Sequence, residues 1–529
     1  MKKVFYNGRI ITLEGNESVE SVFIENGKIN EIGNYEDIIK KYSEVEKINL
    51  EGKTLIPAFL DPHSHFSGAA SALLQVPLEE AVSIDEVLEK LSDFVKSDNL
   101  QENKWVIGKG YDHNNFVEKA HPTCEDLDKV STKVPIVIQH KSGHAGVFNS
   151  KALELLGVTV DTVSPEGGLI GKKDNKLTGY MEETAFMKYM KEAAMPDANE
   201  LFNAYIQVQE KYLSHGIATV QEGMMVSQMI PLYEALINNN MLKVDLVGYS
   251  EVSSAEKLFS KFKDSIMKYN KNFKLGGYKI FLDGSPQART AWMLTPYLGE
   301  DTYYGYGTMK YEDVYNAIKE ATKNNVQILA HCNGDAAAQQ FIDAIKKVQE
   351  DGYDVKSLRP VMIHSQLLRI EQLEDVKKLG IIPSFFVAHV YHWGDVHINN
   401  FGFERASKIS PTASALENGI TFTFHQDSPV IEPNMMETIH CAVNRKTKSG
   451  VLLGENERIS VIEALKAVTI NAAYQYFEED KKGSIKVGKN ADFVILDKNP
   501  LEVPIEHLKD IKLRDLTPNG HHGTFANAN

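Results

Sequence analysis

The chain has 529 residues, 43% of them hydrophobic and 24% charged, with a formal net charge of −15. That length carries a large barrel domain plus a second domain, and an acidic balance with no basic block argues against nucleic acid as a partner. Cys124, Cys332 and Cys441 are too few and too scattered for a disulfide framework and fit a reducing cytoplasm; no apolar run is long enough to span a bilayer, and Met1–Gly8 lacks the apolar core of a signal peptide.

Residues 3 to about 54 read as short strands joined by turns. Asn7-Gly8 separates Val4-Phe5-Tyr6 from Arg9–Leu13, and Asn26-Gly27 separates Ser21–Glu25 from Lys28–Ile32; both dipeptides are strong hairpin signals. Leu55–Leu60 is an apolar run of strand character that leads into Asp61-Pro62-His63-Ser64-His65. Alternate side chains of a strand share a face, so His63 and His65 are expected to point the same way, and two neutral imidazoles so placed suit a divalent transition metal. A lone His-x-His is more often two unrelated surface histidines. Here the pair closes a buried-looking strand, and later strands end in the same residue type.

Residues 70–205 carry their own strands, Trp105–Gly108 and Pro135–Gln139, and read as a large insertion over the mouth of a barrel. Beyond it, strands alternate with helices: Ile217–Glu222, Val244–Tyr249, Tyr278–Asp283, Val326–Ala330, Val361–Ile363, Ile381–Phe386 and Ile420–Phe424, with helical patterns at 311–324, 335–350 and 371–379. With the strand at residue 55 this makes eight, the number a TIM barrel needs. The far end, Gly483–Lys489 and Ala491–Asp497, matches the β-rich start. The expectation is an α/β chain: a distorted (β/α)8 TIM barrel over 55–480, with a small β-sandwich built from 1–54 and 481–529. Arg514–Gly523 does not read as a strand, and 515–529 are expected to be mobile.

Catalytic residues of such barrels sit at the C-terminal ends of strands. His63, His65, Lys279, His331, His364 and Asp427 all fall near such ends, and the four histidines with the aspartate suffice for one or two zinc-like ions. Phe385–Trp393 is an aromatic cluster after a barrel strand, either an apolar substrate pocket or a loop that packs on the insertion.

Several motifs together resemble the amidohydrolase superfamily, within it the YtcJ-like branch: Pro57–His65, Ser142–Leu153, Lys279–Ser285 continuing through Arg289-Thr290-Ala291, His331–Asp335, Asp427–Val430 and the Gly483…Asp492 tail. The resemblance implies that His63 and His65 bind the more buried metal, His331 and His364 the second, and that Asp427 binds metal and shuttles the proton. It implies a carboxylated, bridging lysine at Lys279, because a carbamate joins two cations that an ammonium would repel; Glu183 is the next carboxylate should Lys279 be unmodified. Glu183 is assigned to substrate binding, and His144, Asp283 and Arg289 to substrate binding or to support of the metal ligands, with an Asp283–Arg289 ion pair as the plain alternative for the last two. The implied activity is hydrolysis of a C–N bond, an amide of N-acyl or N-formyl type, by water activated at a divalent metal. An amidine deaminase is the second reading and a non-catalytic regulator that kept the fold the third. The expected partner is a small-molecule substrate, with no nucleic acid or membrane, and base rates favour a homodimer.

Overall fold

The computed structural model describes residues 2–15, 18–42, 44–97, 104–141, 143–193 and 198–517. The chain forms two compact units, Ser67–Val208 and the remainder, Met1–Phe66 with Gln209–Asn529.

The larger unit contains an eight-stranded parallel sheet in chain order: Phe59–Leu60, Ile217–Met225, Asp245–Glu251, Phe273–Phe281, Gln327–Cys332, Val361–His364, Ile382–Phe385 and Thr423–Phe424. These strands are apolar runs buried on both faces, as parallel strands under helices must be. The helices expected between them form at Tyr311–Lys323, Asp335–Glu350 and Leu373–Leu379. Register sets Lys279 beside Glu251 and Leu329, His331 beside Phe281 and Ile363, and His364 beside Cys332 and Phe385. The first and last strands are linked at their C-terminal ends, where Asp427 N donates to His63 O (3.2 Å) and His65 N to Ser428 O (2.8 Å). The sheet is therefore curled into a barrel-like α/β fold, and Leu60, Val247, Leu329, Val361 and Ile363 share its core.

Both chain ends meet in a seven-stranded sheet: Leu513–Thr517, Phe493–Leu496, Thr54–Pro57, Lys2–Ile11, Ser18–Glu25 and Lys28–Gly33 in that order, with Glu46–Asn49 also on Lys2–Ile11. Three expectations are corrected here. The run at 55–60 is two strands, since Thr54–Pro57 pairs with Phe493–Leu496 and only Phe59–Leu60 enters the parallel sheet. Asn26-Gly27 closes a hairpin, with Glu25 opposite Lys28, but Asn7-Gly8 does not: Lys2–Ile11 is one strand with a register shift between Tyr6 and Ile10. The Leu50–Lys53 turn docks there, and a Cβ on Gly8 would lie 2.4 Å from Lys53 O, so this glycine serves close approach rather than a hairpin. Leu513–Thr517 is a strand, antiparallel to Phe493–Leu496; residues 518–529, including His521-His522, lie outside the described residues.

The smaller unit is built on a six-stranded sheet, Gly168–Lys173, Lys176–Glu183, Ala145–Phe148, Ile136–His140, Val106–Tyr111 and Gln75–Pro77 in order, parallel over the last three. Alternation of side chains sends Val106, Ile136 and Ile138 to one core with Leu78 and Leu91, and Ile107 and Val137 to another with Phe148 and Phe186.

Candidate metal centre

The residues around the parallel sheet's C-terminal ends converge. Asp427 Oδ1 lies 3.3 Å from His65 Nε2 and 3.5 Å from His63 Nε2, and its Oδ2 lies 3.9 Å from His364 Nε2. Lys279 Nζ is 3.4 Å from His63 Nε2, and the rings of His331 and His364 are 4.6 Å apart between centroids. His63 and His65 are not in a strand. They follow Phe59–Leu60 in a turn whose Pro62 carbonyl accepts from Gln221 Nε2 (2.7 Å) and Gln475 Nε2 (2.8 Å), while Asp61 O accepts from Tyr476 Oη (2.7 Å). A Cβ on Gly223 would meet the His63 ring at 2.7 Å, so only glycine lets the neighbouring strand approach this closely.

Each buried imidazole is held through Nδ1, which leaves Nε2 toward the common space. His63 Nδ1 is 2.6 Å from Gln221 Oε1, His331 Nδ1 is 3.1 Å from Asp283 Oδ1, and His364 Nδ1 is 3.1 Å from His425 Nε2. An amide or carboxylate oxygen can only accept, so His63 and His331 carry their proton on Nδ1 and have their lone pair on Nε2, which in His331 accepts from Asn333 Nδ2 at 3.3 Å. His425 continues to Ser384 Oγ at 2.9 Å. Such partners fix ring orientation in metal sites. His364 and Asp427 both have left-handed backbones, φ 70° and 55°, a strain on the order of 1–3 kcal/mol each that clusters at functional sites.

The electrostatics agree. Burial holds the His63 and His364 imidazoles well below the usual range, helped by Lys279 for the first and His331 for the second; both are neutral, the ligand form. Burial opposes the charge on His65 and Asp427, but their contact outweighs it, raising His65 and lowering Asp427. Lys279 is 1% exposed, and burial lowers its ammonium to about 7.

The residues fit a cation. Asp427 Oδ1 is buried and accepts no hydrogen bond, and one donor atom from each of His63, His65 and Asp427 lies within 4.8 Å of the others. The donor set of imidazoles and carboxylate suits a first-row divalent ion.

The family model of the amidohydrolase family matches residues 46–520. The chain belongs to that family. It is 27% identical to YtcJ of Bacillus subtilis (strain 168) over 98% of this chain and 99% of that protein, and 27% identical to the N-substituted formamide deformylase of Arthrobacter pascens over 96% and 95%. Its fold matches a metal-dependent hydrolase of uncharacterised function from Pyrococcus horikoshii OT3 with a TM-score of 0.77, 24% identity, and coverage of 96% and 99%.

In this amidohydrolase-family chain the residues assigned to substrate binding occupy different settings. Asp283 supports His331: its Oδ1 also accepts from Asn333 N (3.0 Å), and its Oδ2 from Gly334 N (2.7 Å) and Trp292 N (3.1 Å). The Asp283–Arg289 ion pair does not form; Arg289 Nη2 pairs with Glu300 Oε1 at 3.1 Å and its guanidinium sits over the Tyr297 ring. His144 and Glu183, in the smaller unit, are exposed and pair with each other, Nδ1 to Oε2 at 3.1 Å. Phe386, from the aromatic segment, is buried against His425, His389 and Trp393. Sequence reasoning missed Gln221 and His425 as positioning residues. Both left a signal: Gln221 lies near the end of the apolar run Ile217–Glu222, and His425-Gln426-Asp427 repeats the alternate spacing of His63 and His65.

Proposed function

We propose that this chain is a metal-dependent hydrolase of C–N bonds whose substrate is an amide of N-acyl or N-formyl type. One observation carries the reading: a buried carboxylate oxygen, Asp427 Oδ1, without a hydrogen bond, facing two imidazole Nε2 atoms 3.3 and 3.5 Å away. An unmet buried acceptor costs about 1–3 kcal/mol, and more when charged, so a cation shared with His63 and His65 accounts for it. His63, His65 and Asp427 would hold one divalent ion of the zinc kind; His331, His364 and Lys279, the last as a carbamate, would hold a second. The likeness to a formamide deformylase supports the N-formyl class.

When bound, such an ion polarises a carbonyl and lowers the pKa of water from 15.7 to about 7. The chain's own residues do the rest. Asp427 faces the shared space, so it takes the proton of the attacking water and returns it to the leaving nitrogen. Gln221, Asp283 and His425 keep the imidazoles turned inward through that exchange. Lys279, with its ammonium lowered to about 7 by burial, has the free amine that carbamate formation with carbon dioxide requires.

The test is metal analysis of the purified protein together with a turnover screen of N-formyl and N-acyl amines. Bound metal and amide cleavage that stops on chelation are expected. Full turnover by metal-free protein overturns the reading, and so does ammonia release from amidines with no amide cleavage.

A further inference from the structure

The barrel centre is not the one place where imidazoles and a carboxylate meet. In the smaller unit, Val106–Tyr111 and Ile136–His140 are adjacent parallel strands with Tyr111 opposite His140. Asp112 and His113 directly follow the first strand and His140 ends the second, so parallel pairing brings three metal-type side chains to one edge of the sheet. His113 Nδ1 is 3.3 Å from His140 Nε2, and Asp112 Oδ1 is 3.5 Å from the same nitrogen. One donor atom from each lies within 4.8 Å of the others. The Asp112 and His140 side chains are only 8% and 13% exposed.

The surroundings hold these groups in place. Lys141 Nζ sits on Asp112 Oδ2 at 2.9 Å, and Oδ1 is turned to the histidine side, where it also accepts from Asn114 N and Nδ2 at 3.0 Å each. The His121 ring stacks on His113 at 3.8 Å, and its own Nδ1 is held by Tyr111 Oη at 2.8 Å.

We propose that Asp112, His113 and His140 form a second transition-metal site, with ligands wholly distinct from those of the barrel centre. Two imidazoles and one carboxylate oxygen select zinc or cobalt over calcium and magnesium, which take oxygen ligands. Three protein ligands leave a fourth position for water or a small anion. Such an ion would clamp the ends of two neighbouring parallel strands and the long loop between Asp112 and Thr123.

The experiment uses the full-length protein, stripped of metal and titrated with zinc. His113→Gln/His140→Gln is expected to bind about one equivalent fewer than wild type. A His63→Ala/His65→Ala protein keeps that equivalent and loses it when His140→Gln is added. Equal zinc binding by wild type and by a folded His113→Gln/His140→Gln protein overturns the proposal. Diethyl pyrocarbonate footprinting of wild type needs no variant: zinc is expected to protect His113 and His140, and unchanged modification of both overturns the site.

Discussion

Replacing Asp427 by Asn separates proton transfer from metal binding. The substitution keeps the volume and one weak oxygen donor but removes a carboxylate whose oxygens lie within 4 Å of three Nε2 atoms, those of His65, His63 and His364. An amide cannot take up a proton at neutral pH, so the general-base contribution is lost whole, on the order of 10²–10⁴ in rate. At 1.36 kcal/mol per tenfold, that is about 3–5 kcal/mol of transition-state stabilisation. His63 and His65 stay held by Gln221 and by the turn at Asp61-Pro62, so the variant is expected to fold and keep most of its metal. The assay is steady-state turnover of the best amide from the screen, normalised to metal content, at several pH values. A loss of about a hundredfold or more in kcat with metal retained is expected. Wild-type-like turnover by metal-replete Asp427→Asn would refute Asp427 as the proton shuttle.

Other outcomes test the same site. His63→Ala/His65→Ala should empty at least one barrel ion, read by elemental analysis; full occupancy with activity rules out these ligands. Lys279→Ala should lose activity and regain part of it with added short-chain carboxylic acids, whereas no rescue at any concentration argues against a bridging carbamate. Because burial lowers Lys279 to about 7, between about pH 7 and its unfolded value near 10.4 the unfolded chain holds a proton that the folded chain does not. Stability of the metal-free protein should therefore rise with pH relative to Lys279→Met, by up to about 1.4 kcal/mol per unit; a constant difference in denaturation midpoint between pH 7 and 9 contradicts the lowered value. Gln221→Leu leaves His63 Nδ1 without its acceptor and should weaken metal binding by about 10–100-fold, measured by competition with a chelator.

What the chain determines by itself is local. Apolar runs ending in His331 or His364 fix which residues can stand at a strand's C-terminal end, because strand period and length are short-range properties. The helices at 311–323 and 335–350 were legible for the same reason. Tertiary structure decided the rest. The two Asn-Gly dipeptides have the same local preference, yet one turns and the other lies within a continuous strand, where the Leu50–Lys53 turn packs on Gly8. Leu55–Leu60 is uniformly apolar, and only its partners split it, Phe493–Leu496 taking the first half and Ile217–Met225 the second. Leu513–Thr517 lacks a strand-like pattern and becomes a strand because Phe493–Leu496 offers it an open edge. Which imidazole each support holds was decided by folding too. Gln221 and His425 stand at legible positions, but they are 158 residues from His63 and 61 from His364, respectively, and only the folded chain pairs them. Asp283 was singled out, but its role followed only from its neighbours: in the folded chain its carboxylate is taken up by His331 and three backbone N–H groups, which leaves Arg289 to Glu300.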